Sequence, residues 1–480
     1  MHRASACVIV AALAFNARPG LSGDTVEVVY SSIEDDATAN IPGGGGSTFG
    51  SFLELHHSPD GNHWIIKGFA AGAGTIDVMI VGSGTTGSLV AMEGGPSPVA
   101  GSVHCFLDSQ AGVNDSGQYV FGSRLDGIGT DVDEIVFLHD GVSLGIAVRE
   151  GDPAPGLVDL GFAGDELFGN SLNSSHILAD GTPCFHADLI QNVDSDFRSA
   201  LYQGGTVLAQ EGTAVGGGTY AGFLALGGNS YTSSADGSAW IVESDIDPSP
   251  LSSTESVILT GEVVISEGQV LKGMPGLVES IFAVHLTGGG TWFARGSAGG
   301  AHWAVRDGAL IASAGDPILP GAEEAWVTIG LATGDDDGLV LLAGSTDEPD
   351  ADFDSALVLM GDRLLVREGD AVDVNGDGLP VEDVFIRTID ANSAFISSGD
   401  GHVYFTGSLR NGAGTMVGDA IMRLPLLGTP GDINADGLVD IDDLLLLLGA
   451  WGPCLGCPED VNGDDVVDVN DLLIVLANWT

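Results

Sequence analysis

From Asp24 to about Leu427 the chain is written in short apolar runs broken by Gly and Asp-Gly, with no helical spacing of its apolar residues. A typical stretch is Ile135-Val136-Phe137-Leu138, then Asp140-Gly141, then Ile146-Ala147-Val148. Apolar runs flanked by turn residues in this way predict strands joined in hairpins. The runs recur. A glycine precedes an apolar or aromatic residue by three places at Gly61/Trp64, Gly117/Val120, Gly181/Cys184, Gly237/Trp240, Gly289/Trp292, Gly338/Leu341 and Gly401/Tyr404. Their mean spacing of about 57 residues lies near the range of repeat architectures.

A second marker, an acidic residue beside glycine, follows at Glu93-Gly94, Glu150-Gly151-Asp152, Glu211-Gly212, Glu267-Gly268, Gly315-Asp316 and Glu368-Gly369-Asp370. Each unit thus holds about four strands, too few to bury a core alone, so neighbours must stack. Radial stacking into a β-propeller protects edges that a linear array leaves open. The last unit stops at Ile421-Met422-Arg423-Leu424 without a second marker, and Val26–Ile33 with Glu34-Asp35-Asp36 reads as the missing strand. The expected fold class is mainly β: a seven-bladed β-propeller-like repeat region over residues 24–427, closed by its N-terminal strand, followed by a small α-helical calcium module. The same strand signals also permit an open solenoid or two sandwiches. The repeats, typified by Val148 to Gly156 (VREGDPAPG) and a following Asn…Gly…Phe segment, resemble a tandem-repeat family of secreted proteins in planctomycete-type bacteria. That resemblance implies a β-rich region of no established activity.

Beyond residue 430 the pattern changes. Asp432, Asn434, Asp436, Asp440 and Asp443 stand at positions 1, 3, 5, 9 and 12 of a loop, with Gly437 at position 6 and the Leu438 carbonyl at position 7. Oxygen ligands at this alternation wrap a short loop around Ca²⁺. An apolar helix follows from Leu444 to Trp451. The pattern returns as Asp460, Asn462, Asp464, the Val466 carbonyl, Asp468 and Asp471, with a helix from Leu472 to Trp479. The leucines and tryptophans of both helices are expected to pack as core first. A weaker third loop begins Asp373, Asn375, Asp377, but its twelfth position is Val384. Cys454 and Cys457, between two prolines, are a candidate local disulfide.

The tandem over residues 431–480 is similar to a type I dockerin, which also carries Asp at its twelfth loop positions, as Asp443 and Asp471 do here. The resemblance implies calcium as cofactor, the ten loop side chains above as ligands, and docking to a cohesin-like or cell-surface protein. At loop positions ten and eleven, where many dockerins present hydroxyls, this chain has Ile441-Asp442 and Val469-Asn470.

Composition narrows the partners. Lys and Arg number 14 against 67 Asp and Glu across 480 residues, a formal charge of −53. So acidic a chain is unsuited to nucleic acid, whose phosphates need basic residues. The apolar run Ala4 to Phe15 behind His2-Arg3 predicts an export signal over residues 1–23, and no later stretch is long enough to span a bilayer. A secreted or cell-surface location is expected.

No catalytic residue is assigned. Gly141-Val142-Ser143-Leu144-Gly145 matches a nucleophile elbow but falls in a hairpin, where the motif lacks its strand–turn–helix context. Ser58-x-Asp60-Gly61…Trp64 and Ser234-x-Asp236-Gly237…Trp240 resemble structural Asp-boxes with altered spacing. His56, His57 and His63 suggest a metal cluster, but adjacent strand positions point to opposite faces, so two ligands at most would converge, and exposed hairpin histidines are expected instead. The function expected is a secreted, calcium-binding, non-catalytic scaffold whose repeat body binds glycan or protein. The alternative is a glycoside hydrolase of polysaccharide breakdown, the usual companion of a dockerin.

Overall fold

The computed structural model describes residues 25–480 apart from 73–74, 159, 161–163, 191–198, 224–230, 248–253, 362, 377–379, 381, 427–430, 432, 434–438, 440, 455–456, 458, 462–465, 478 and 480. The expected export signal lies outside the described residues.

Branched and aromatic residues fill the strands, and the middle strands are apolar on both faces. In Trp64–Ala70 every residue from Trp64 to Gly68 is buried. Alternate side chains there enter different cores: Trp64 and Ile66 pack with Tyr30, Phe395 and Tyr404, whereas Ile65 packs with Leu107, Phe121 and Phe137. A sheet with a neighbour on each face needs apolar residues at successive positions. That need explains the continuous runs in the sequence.

Seven such sheets form the blades of a closed propeller. Their innermost strands, for blades 1 to 7, are Phe49–His57, Val103–Val113, Leu167–Ile177, the pair Gly218–Phe223 and Tyr231–Ser233, Val278–Leu286, Leu331–Gly334 and Val384–Ile396. From each the chain steps outward through antiparallel neighbours, as in blade 2 through Tyr119–Asp126, Glu134–His139 and Leu144–Arg149. Blade 7 is completed from the other end of the chain. Val26–Ser31 pairs antiparallel with Met416–Pro425, placing Glu27 opposite Arg423 and Ser31 opposite Ala420. Both ends of the repeat region share one sheet, so the solenoid and sandwich alternatives are excluded.

The acidic-glycine marker is the join between blades. Gly94, Gly151, Gly212, Gly268, Gly315 and Gly369 all hold left-handed φ values, from 76° to 92°. Their N–H groups donate to His104, Phe168, Tyr220, Val278, Trp326 and Ile386 of the next blade at 2.7–2.9 Å. Three of the preceding glutamates bind their own blade, Glu93, Glu150 and Glu267 accepting the N–H of Asp77, Glu134 and Glu255. At the seventh join Asp35 takes the left-handed backbone, φ 65°, that glycine holds elsewhere. There the Asp36 N–H donates to Ile33 at 3.2 Å, as Asp152 does to Arg149 at 3.1 Å.

In the tail, helices run over Ile441–Gly449 and Val469–Ala477. Both begin before the expected Leu444 and Leu472, taking the twelfth-position aspartates into their first turn. Val439, Leu447, Val467 and Val475 form the tail core, with Ile433, Ala450 and Leu472 packed on it. This corrects the expectation for the tryptophans: Trp451 and Trp479 are 49% and 43% exposed, and Leu445, Leu448, Leu473 and Leu476 are exposed beside them. Two nine-residue helices present one stripe each to a core this small, and the remaining apolar positions face outward.

Candidate functional site

The seven inner strands enclose a central channel with a cavity of ≈ 470 Å³. Register shifts shape its lining. The inner strands of blades 1, 2, 3, 5 and 7 each carry a bulge against their second strand. The residues left unpaired there include Leu53, Gln110, Ser174, Phe282 and Asp390, all of which line the cavity. Bulges re-aim side chains in this way near functional sites. Ser174 is held at φ 53°, a strained value for a residue with a Cβ, and its N–H donates to Gln110 Oε1 at 2.6 Å.

At one end the channel is bounded by the turns that follow the inner strands, and these turns are bonded to one another. Asp60 N–H donates to Asp115, Asn114 to the Leu178 carbonyl, Ala179 to Ala235, Ala235 to Gly288, and Gly289 to Asp336. Ser398 of blade 7 donates to Asp60 of blade 1 at 2.9 Å, so these bonds join six of the seven neighbouring pairs of blades. Pro59 of blade 1 also reaches across to blade 5, lying so near Gly288 that a Cβ there would come within 2.6 Å of it. The glycine permits that approach.

Among the described residues four histidines line the channel: His56 and His57 from blade 1, His176 from blade 3 and His285 from blade 5. Burial pushes His57 and His176 down to about 4 and His285 down to about 3, so these three are neutral at pH 7. His176 is saturated, its Nδ1 donating to the Ser174 carbonyl at 3.1 Å and its Nε2 accepting from Ser233 at 3.0 Å. His56 differs. Burial lowers it, but the hydrogen bond and charge of Glu54, 3.1 Å away, outweigh burial and leave it raised. His56 and His57 were expected to be exposed, yet both are half-buried and line the cavity. The bulge at Leu53, which the sequence pattern does not reveal, turns this strand end into the channel.

Arg295 also lines the channel. Burial lowers it to about 10, against the pull of Glu243 and Asp390, and it stays charged at neutral pH. Its guanidinium lies 5.9 Å from the Phe282 ring centre. Leu53 and Asp390 also line a second pocket, of ≈ 350 Å³, together with Asp419 and Thr406. Burial and the Asp390 charge raise Asp419, and Thr406 donates to Asp390 at 3.2 Å.

The tail loops are described in part. Asp432, Asn434, Asp436, Leu438 and Asp440 of the first loop, and Asn462 and Asp464 of the second, lie outside the described residues. Asp443 and Asp471 are fully buried. Asp443 accepts the Ile433 N–H at 2.7 Å and Asp471 the Asp468 N–H at 2.8 Å. Asp460, Val466 and Asp468 are described, with Val466 and Val467 in a short ladder against Gly452 and Pro453. Cys454 and Cys457 form a disulfide. Glu459 lies beside them, but sulfurs in a disulfide offer no thiolate to a metal. In the third loop Asp373 is buried, accepts the Gly376 N–H at 2.7 Å, and lies parallel to Glu27 on the flank of blade 7. Asn375 donates to Glu382 at 2.6 Å, and Asp377 lies outside the described residues.

The Gly141–Gly145 segment is a hairpin, with Asp140 Oδ1 accepting the N–H of Val142 and of Ser143. The Asp60 and Asp236 segments are turns closed by their own serines, Ser58 and Ser234.

Residues 30–404 match the family described as "Family of unknown function (DUF7453)", and the chain belongs to that family. No curated protein matches it. Among solved structures it is similar to the Dos1 propeller, at 8% identity over 84% of this chain and 96% of that one, with a TM-score of 0.37. It is also similar to the β-propeller domain of the Trilobed protease from Pyrococcus furiosus, at 8% identity over 77% and 94%, with a TM-score of 0.39.

Proposed function

We propose that this chain is a secreted, non-catalytic binding protein whose propeller channel receives a glycan or protein ligand and whose tail binds calcium to dock on a protein or cell-surface partner. The observation that carries the tail reading is the burial of Asp443 and Asp471, the twelfth-position residues of both loops. A carboxylate removed from water needs hydrogen bonds and a positive charge nearby. Both aspartates belong to loops that alternate oxygen side chains at the spacing calcium uses, and calcium is the ion that suits such oxygens. The exposed leucines and tryptophans of the two helices give such a module an apolar surface for its partner.

Calcium titration by calorimetry, followed by chelation under far-ultraviolet circular dichroism, tests this. Two equivalents bound and a loss of helix signal on chelation are expected, with both effects reduced in Asp443→Ala and Asp471→Ala. Absence of calcium uptake would defeat the tail reading.

A second reading rests on Asp390 and Asp419, which share a pocket while burial and like charge hold one of them up. Carboxyl pairs with separated proton affinities serve glycoside hydrolysis. Reducing-sugar release from a polysaccharide panel, abolished by Asp419→Asn, would favour this reading over binding alone.

A further inference from the structure

We propose that the turn end of the channel is a binding site for a borderline transition-metal ion, held by the imidazoles of His57 in blade 1 and His285 in blade 5. The two rings approach across the circle of blades, with centroids 6.3 Å apart. Metal–nitrogen bonds of about 2.0–2.1 Å, with each ring centre about 1.1 Å from its nitrogen, place two imidazoles on one ion up to about 6.4 Å apart. The observed spacing lies at the upper end of that range, where the two nitrogens face each other nearly in line across the ion.

Each ring has a nitrogen to offer. His57 Nδ1 lies 2.8 Å from the Ser58 carbonyl, which can only accept, so Nδ1 carries the hydrogen and Nε2 the lone pair. Metal-bound histidines are oriented by the same outer hydrogen bond. His285 Nε2 is buried with no hydrogen-bond partner, a condition that native structures rarely leave unanswered. Both rings are held neutral by burial, which is the ligating form. Phe395 stacks on His57 at 4.5 Å and fixes its plane, and the Pro59–Gly288 contact spans the channel beside the pair.

Two other nitrogen- and oxygen-bearing side chains of the channel are already engaged. His176 uses both nitrogens, and Gln110 Oε1 accepts from Ser174. Imidazole suits copper, nickel and zinc, and a near-linear pair suits the trans positions of tetragonal copper(II) or nickel(II) better than a tetrahedral ion, whereas calcium takes oxygens. The site is therefore distinct in chemistry from the tail loops and stands or falls independently of them. Two protein nitrogens leave further coordination positions open to water or to a donor group of a molecule in the channel.

The full chain, saturated with calcium to occupy its carboxylates, would receive one equivalent of copper(II) and be examined by electron paramagnetic resonance. Superhyperfine splitting from two equatorial nitrogens is expected. His57→Ala and His285→Ala should each remove one nitrogen and weaken binding by about tenfold or more, while His139→Ala, outside the channel, should leave both unchanged. Unfolding of each variant followed by circular dichroism shows whether it still folds. If one does not, the nitrogen count in the unaltered chain decides. Oxygen-only ligation there, or equal binding by folded His57→Ala and His285→Ala, would overturn the site.

Discussion

Arg423, on the last strand supplied by the C-terminal side of the ring, holds Glu27 on the strand supplied by the N-terminal side: Nε and Nη2 both lie 2.7 Å from Glu27 Oε2. The pair is only 18% and 31% exposed and sits within the register Glu27 opposite Arg423. It therefore acts on closure of the whole propeller, beyond the local strand pair. Partly buried, charge-assisted bonds of this kind contribute about 1–3 kcal/mol. Arg423→Ala is expected to lower the urea midpoint of the propeller, and the loss should shrink when Glu27→Gln is already present. Removing residues 25–33 should do more, baring the edge of Met416–Pro425 and producing oligomers visible by light scattering. A monomer of unchanged stability would show that closure depends on other contacts.

The blade joins allow a test with opposite signs at equivalent positions. Gly94 has open space around a prospective Cβ, so Gly94→Ala isolates the backbone effect at φ 79°. A left-handed residue with a Cβ is disfavoured by about 1–2 kcal/mol, and the substitution should destabilise by that amount. At the seventh join the occupant is Asp35, φ 65°. Asp35→Gly should relieve part of the same penalty and stabilise by a few tenths of a kcal/mol to about 1 kcal/mol. Chemical denaturation of both variants checks this, and a shift of the same sign in both would contradict the equivalence of the seven joins.

That equivalence also explains what was legible in the sequence. Turn chemistry and apolar runs are local, so Gly61, Gly117, Glu150-Gly151 and Glu34-Asp35-Asp36 carry the blade count and the swapped strand in the sequence itself. The channel was not legible for two physical reasons. Bulges at Leu53, Phe282 and Asp390 interrupt the two-residue period, so the face of each later side chain cannot be counted forward from the strand start. The pair His57 and His285 arises from closure of the circle, and nothing near either residue in the sequence indicates the other. The tail showed the opposite balance. Its loop spacing marks aspartates as candidate ligands from the sequence alone, while the outward-facing Trp451 and Trp479 depend on how small the helical core is.

Strain at Ser174 offers a third test. The residue sits at φ 53° and places its N–H on Gln110 across the blade 2–blade 3 boundary. Ser174→Gly keeps that donor and removes the Cβ, so stability should stay level or rise, while Gln110→Ala should lower it by about 1 kcal/mol. Equal losses in the two variants would mean that the serine side chain, rather than the backbone bond, holds this part of the channel.

The buried carboxyl groups set the direction of the pH dependence. Burial and the Asp108 charge push Glu134 up to about 8, burial and Asp354 push Glu368 up to about 7, and burial pushes Asp108 up to about 7 against the pull of Lys67. In the unfolded chain such groups release their protons near pH 4. Between pH 6.5 and 8.5 the folded state therefore binds more protons than the unfolded one, and stability must rise as pH falls. His56, whose folded affinity for a proton is raised, adds in the same direction. The neutral channel histidines oppose it increasingly as pH falls towards and below about 6.5, where they would protonate on unfolding, and within this interval their effect is the smaller one. The urea midpoint of the propeller, measured at saturating calcium, should accordingly be higher at pH 6.5 than at pH 8.5. Glu134 is 8% exposed, and Glu134→Gln should remove about 1–2 kcal/mol of that difference. A midpoint that rises with pH over this interval, or one whose slope Glu134→Gln leaves intact, would place the proton-linked stability elsewhere in the ring.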